Sequence, residues 1–129
     1  MTYETILRDT IFPELEKGRP NWDRPHTEAV VKYLKEIIAQ TPELKLDRDV
    51  LIIAAYAHDW GYADLFADGK PLNFDQVISR KKEHMRLGAE KLEKLLQKPE
   101  FDFLTKEQKK TRRTFSTRTR LFPRYSRTR

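Results

Sequence analysis

Apolar side chains Ile6, Leu7, Ile11 and Leu15 recur near the 3.6-residue period of a single helix face. They predict a helix from Tyr3 to Lys17, closed by Gly18. Pro13 lies inside that pattern and, lacking an N–H, is expected to kink or split it. Residues 18–25, dense in Gly, Pro, Asn and Asp, read as a loop. A second helix, from about His26 to Gln40, carries Val30, Leu34, Ile37 and Ile38 as its core-facing stripe. His26 lies four residues ahead of Val30 on the same line, so its imidazole is expected to point inward.

Asp47 is a good N-cap for a third helix, centred on Val50 to Ala57. That stretch is apolar all round, which marks a helix buried on most sides. A loop from about Gly61 to Asn73 follows. The fourth helix spans roughly Phe74 to Gln97, with Leu87, Leu92, Leu95 and Leu96 on its apolar face. His84, Gly88 and Leu92 share one i, i+4 line, and Pro99 stops the helix. No segment reads as a convincing strand, so the expected fold class is all-α.

The periodic pattern ends near residue 108. From 109 to 129 the chain is rich in Arg, Thr and Ser, with no apolar stripe, and is expected to be disordered. Charge divides at the same place. Residues 1–104 carry 16 Lys and Arg against 19 Asp and Glu, while 105–129 carry 10 against one. The formal net charge of +6 therefore belongs to the tail, and the body is mildly acidic. A basic tail with Phe115, Phe122 and Tyr125 could bind nucleic-acid phosphates and stack on bases. An unfolded extension is the blander alternative.

The 129 residues have room for one domain, expected here at 1–108. Cysteine is absent, which excludes disulfides and thiolate metal sites and agrees with a cytoplasmic location. Met1-Thr2-Tyr3-Glu4 lacks the basic and apolar regions of a signal peptide, so none is expected. The longest apolar run, Val50 to Ala57, falls far short of the roughly 20 residues a membrane span needs.

The chemistry concentrates on three residues. His58 and Asp59 end the buried third helix, just before a turn containing Gly61. Side chains of adjacent helix residues diverge by about 100°, yet both reach one ion seated off the helix end. His26 is the natural third ligand, because an imidazole facing an apolar core is costly unless paired. Mixed imidazole and carboxylate donors suit a divalent cation, and Mn, Fe, Co, Ni, Zn and Mg all stay open.

Pro25-His26-Thr27 opening a helix, then Ala54-Ala55-Tyr56-Ala57-His58-Asp59-Trp60-Gly61, then Glu83-His84-Met85-Arg86-Leu87-Gly88-Ala89-Glu90, resembles the HD superfamily of metal-dependent phosphohydrolases. The resemblance covers roughly residues 20–100. It implies an HD-domain-like helical bundle that hydrolyses a phosphate ester, often of a nucleotide, with His26, His58 and Asp59 holding the metal. By the same resemblance, Asp59 and His84 are the candidates for catalysis. His84 would be a ligand to a second metal, or a donor or acid facing phosphate; a surface histidine beside Lys81 and Lys82 is the structural alternative. Arg24 and Lys81 are the candidates for neutralising a substrate phosphate. A solvated helix face is the more common explanation of either one.

The chain departs from the family in one respect. The superfamily's final Asp lies on a later helix, whereas here no Asp occurs beyond Asp102. The bundle is therefore expected to be C-terminally incomplete, truncated or read in a shifted frame from about residue 109. The alternative function is then a catalytically inactive HD fragment. Asp64, Asp68 and Asp75 are the remaining acids that could substitute as ligand. Missing later helices are also expected to uncover apolar surface on the third helix and to favour oligomers. Trp60 and Tyr62 are either core aromatics or the wall of a base pocket.

Overall fold

The computed structural model describes residues 2–19, 21–65 and 74–110. In chain order the α-helices are α1 (Tyr3–Gly18), α2 (Asp23–Gln40), α3 (Arg48–Ala57), the single turn α4 (Tyr62–Leu65) and α5 (Phe74–Leu95). Short 3-10 turns lie at Pro42–Leu44 and Pro99–Phe101, and residues 106–110 add one more helical turn. No strand occurs among the described residues, as the sequence predicts. No helix among them is long and apolar enough to cross a membrane.

Thr2 starts α1 by accepting a hydrogen bond from the Thr5 backbone N–H at 3.2 Å. The expected stripe is buried: Ile6, Leu7, Ile11 and Leu15, joined by Phe12. Pro13 does not split the helix, which is continuous from Tyr3 to Gly18. Pro13 and Asp9, whose carbonyl loses its helical donor, are both exposed, on the side of α1 where a missing helical hydrogen bond costs least.

α2 starts at Asp23, three residues earlier than the pattern suggests, because Pro25 falls in a first turn that needs no N–H donor. Its buried face is also rotated from the expected stripe. Asp23, Thr27 and Val31 are buried, Val30 and Leu34 pack only partly on the core, and Ile37 is 53% exposed. Hydrophobic periodicity carries no weight for a carboxylate, and the buried Asp23 belongs to the true inner face.

Asp47 caps α3, accepting the Val50 backbone N–H at 3.2 Å. Its second oxygen accepts from Gln108 Nε2 at 3.0 Å, which ties the 106–110 turn to the start of α3. α3 is the central element and packs against α1, α2 and α5. Val50, Ile52, Ile53, Ala55, Tyr56 and Ala57 are all buried, with Phe101 and Leu104 joining the same core. The expected bare surface on this helix is therefore absent. Among the described residues, the large apolar side chains that are exposed lie elsewhere: Trp22 just before α2, Tyr33 and Ile37 on it, Leu44 and Leu46 after it, Ile78 on α5, and Phe103.

α5 buries Gly88, Ala89, Leu92 and Leu95, with Leu96 just beyond its end, while Leu87 is half-buried. Lys109 Nζ donates to the Leu96 carbonyl at 3.0 Å. The basic stretch from 111 onward lies outside the described residues, so its predicted disorder is left untouched.

Candidate metal centre

α3 ends at Ala57, and residues 58–61 form a tight turn into α4, with Trp60 N–H donating to the Ala57 carbonyl at 3.1 Å and Tyr62 N–H to the Asp59 carbonyl at 3.0 Å. Gly61 is buried at the point where this turn meets α5. A Cβ on Gly61 would lie 1.9 Å from the His84 carbonyl oxygen, closer than any real contact. Gly88, one turn further along α5, faces the same turn; a Cβ there would lie 3.4 Å from Gly61 N. Two glycines thus let the His58-Asp59 turn rest directly on the backbone of α5. His26 arrives from the first turn of α2.

Three expected ligands meet. His26 Nε2 and His58 Nε2 are 3.2 Å apart, and Asp59 Oδ2 lies 3.5 Å from the first and 3.2 Å from the second. One ligating atom from each residue falls within 4.8 Å of the others. His84 joins from α5, its Nε2 3.6 Å from the other carboxylate oxygen, Asp59 Oδ1. Side-chain exposure falls from 48% at His26 through 34% at His58 to 15% at Asp59 and His84, so the cluster opens to solvent on the His26 side. The expectation that His26 points inward is corrected: its ring stands at the rim, and only its Nε2 turns toward the other ligands.

Backbone carbonyls fix two of the imidazoles. His58 Nδ1 donates to the Ala55 carbonyl at 2.6 Å, and His84 Nδ1 to the Lys81 carbonyl. A carbonyl only accepts, so each Nδ1 carries the proton and each neutral ring leaves its Nε2 lone pair toward Asp59. Lone pairs facing a carboxylate at 3.2 and 3.6 Å repel unless a cation or a proton sits among them. This donor set fits a divalent metal, and the backbone partners are the outer-shell orientation that metal-bound histidines ordinarily have.

The titration of the site reflects the same arrangement. Burial works against charge on His58, but the hydrogen bond and charge of Asp59 outweigh it and raise the imidazole above its ordinary value. Burial likewise pushes Asp59 up, yet His58, His84 and His26 together hold its carboxyl below the usual range. His84 is lowered, chiefly by burial.

Sequence reading missed the support behind His84. The Tyr62 ring stacks on the His84 imidazole at 4.0 Å between centroids, with the planes 6° apart. Arg19 Cζ lies 4.5 Å from the same Tyr62 ring. Arg19 in turn grips the fully buried Asp23 through Nε at 2.9 Å and Nη2 at 2.6 Å. The i, i+4 spacing of Arg19 and Asp23 was the available signal, hidden in a segment read as loop. Trp60 is a core residue: it is buried, and its Nε1 donates to Glu14 at 3.1 Å.

Other candidates stand apart. The Arg24 guanidinium pairs with Glu16 and, at 2.9 Å, with Glu28. Lys81 is exposed, one turn ahead of His84. Asp64 accepts from Lys91 at 3.2 Å, Asp75 and Asp102 are exposed, and Asp68 lies outside the described residues. Among the described residues, the groups of three or more potential ligands reduce to His26, His58 and Asp59. A groove lined by Ala89, Leu92, Leu96 and Lys109 sits at the far half of α5 and holds none of them.

Searches of curated proteins and of solved structures returned no match. A family model, the HD domain, matches residues 25–121, a span that holds His26, His58, Asp59 and His84 and runs into the basic stretch. That match covers most of the chain, which therefore belongs to the HD-domain family, a superfamily of metal-dependent phosphohydrolases.

Proposed function

We propose that the chain is a divalent-cation-dependent phosphohydrolase acting on a phosphate ester, with nucleotides the first substrate class to assay. The observation that carries this reading is the convergence of His26, His58 and Asp59, with the His58 lone pair oriented by the Ala55 carbonyl. His26 Nε2, His58 Nε2 and Asp59 Oδ2 would hold the cation, which supplies Lewis acidity for the attack of water on phosphorus.

Each remaining role falls to the protein's own groups. Asp59 directs one oxygen at the two metal-binding imidazoles and the other at His84, so its carboxylate joins the two halves of the site. His84 Nε2 holds or moves a proton there, or completes a second cation site. Lys81, exposed one turn before His84, is the cation we place against substrate phosphate. Substrate enters from the open His26 side.

A second reading has an observation of its own. Three protein ligands cluster among the described residues, and the acids after α5 stay outside that cluster. A site of this kind could bind a cation without turning substrate over. Metal analysis of the purified protein, followed by phosphatase assays with Mn²⁺ or Co²⁺, separates the two. Turnover that disappears in His58→Ala supports the hydrolase. Bound cation with no turnover across phosphomonoesters and nucleotides supports the inactive fragment, and no bound cation defeats both. The cation count per chain decides the role of His84.

A further inference from the structure

We infer that Tyr62 is a positioning residue for the centre: its ring sets the plane of the His84 imidazole and so aims Nε2 at Asp59. The inference rests on the reading of the cluster as a cation site, and it goes beyond it by assigning a role outside the ligand set.

Two contacts define the orientation of a ring. The hydrogen bond from His84 Nδ1 to the Lys81 carbonyl fixes one edge, but the imidazole can still swing about that bond. The stack on Tyr62, with planes 6° apart and centroids 4.0 Å apart, removes that swing. A near-parallel stack at this distance is a specific geometry as well as buried area. With both contacts in place, Nε2 is left 3.6 Å from Asp59 Oδ1.

Tyr62 is itself well held. It is buried in α4, and the Arg19 guanidinium lies 4.5 Å from its ring. Arg19 is held by both oxygens of the buried Asp23. Gly18, just before Arg19, rests against the backbone of Ala63; a Cβ there would lie 3.1 Å from Ala63 Cα. The end of α1, the start of α2 and α4 thus form one continuous support for a side chain of α5. No atom of Tyr62 needs to touch the cation or the substrate. Its effect runs through His84.

The test has one arm that needs no metal. In the cation-free wild-type protein, ring protons of His84 should be shifted upfield by the Tyr62 ring and show Tyr62–His84 cross-relaxation in NMR spectra. Tyr62→Phe keeps the ring and should preserve both signals. Tyr62→Leu should lose them, with a folded spectrum elsewhere. Wild-type His84 protons at ordinary positions, with no cross-relaxation to Tyr62, overturn the inference whether or not the Leu variant folds.

The second arm titrates Co²⁺. Tyr62→Leu should weaken binding by roughly 10-fold, as loss of an outer-shell partner does, while Tyr62→Phe should bind like wild type. In a His84→Ala background the Leu substitution should add nothing. A Leu effect that persists in full without His84 shows a general structural role and overturns the proposal. His58→Ala distinguishes the underlying reading: if Co²⁺ affinity survives that change, the cation site has failed, and the NMR arm still decides on Tyr62.

Discussion

Around Trp60, cation and anion meet directly. Lys91 Nζ contacts Glu14, lies 3.2 Å from Asp64 Oδ2, and packs 4.9 Å from the Trp60 ring centroid, while the Trp60 indole donates to Glu14. One residue earlier in sequence, Asp59 meets three imidazoles and, among the described residues, no lysine or arginine. Both clusters bridge the 58–64 segment to α5, so shared scaffolding does not explain the difference. A cluster that carries its own cation is complete as it folds. A cluster of lone pairs held at 3.2 to 3.6 Å is complete only when a cation arrives from outside.

The sharpest way to break this contrast is to remove one member from each side. His58→Ala should abolish divalent-cation binding, with a loss of at least about 100-fold, beyond the range for an outer-shell partner. Lys91→Met should leave Mn²⁺ or Co²⁺ affinity within about twofold of wild type, since partly exposed ion pairs contribute little to distant sites. Isothermal titration with each cation checks both. Equal losses in the two variants would mean that the clusters are not functionally distinct.

Gly61 links the contrast to the backbone. Alanine there would drive its methyl into the His84 carbonyl, and neither backbone can yield without moving α5 off the turn. Overpacking of this kind should destabilise the fold by roughly 3 kcal/mol, read as a lower midpoint in urea denaturation. The surviving folded fraction should bind cation more weakly, because His84 and Asp59 have moved apart.

A smaller effect follows from protons. Burial opposes charge on His58 and favours a neutral Asp59, but their mutual attraction outweighs it, raising the first and lowering the second. In the cation-free protein the pair therefore adds stability between the unfolded-state values, about 4 for Asp and 6.5 for His. That contribution fades as pH falls through the lowered Asp59 value, and again as pH rises through the raised His58 value. Cation binding has the opposite sign on the alkaline side, because the proton on His58 must leave first. Thermal midpoints measured against pH should fall through the His58 transition without Mn²⁺ and stay level or rise with it. Parallel curves would show that His58 is not a ligand.

The cluster of His26, His58 and Asp59 was legible in the sequence because its residues are chemically distinctive and lie near helix ends, even though α2 begins three residues before His26. His84, Gly88 and Leu92 were legible as one line of a helix. What escaped is what lies between elements. The buried Asp23 and its Arg19 partner sat in a segment that turn composition marked as loop, and a buried carboxylate is invisible to a hydrophobic stripe. The rotation of α2 was lost for the same reason. Gly61 was legible as a turn residue, but its contact with the His84 backbone depends on how α5 approaches, which no local pattern encodes.

Arg24 gives the finest version of the contrast. It stands two residues before His26, and its charge suits a phosphate, which made it a candidate for substrate binding. Its guanidinium is already shared between Glu16 and Glu28 and packs 5.1 Å from the Phe12 ring centroid, so it belongs with the self-neutralised clusters. Lys81 stands on the helix of His84 and is exposed. Arg24→Ala should therefore leave cation affinity and KM within about twofold of wild type, as expected for an exposed pair away from the reacting groups. Lys81→Ala should raise KM several-fold, by about 1 kcal/mol of lost charge-assisted contact, with kcat little changed. A reversal of the two, with KM rising for Arg24→Ala alone, would mean that the Glu16 and Glu28 pairing opens for substrate and that Arg24 is part of the site.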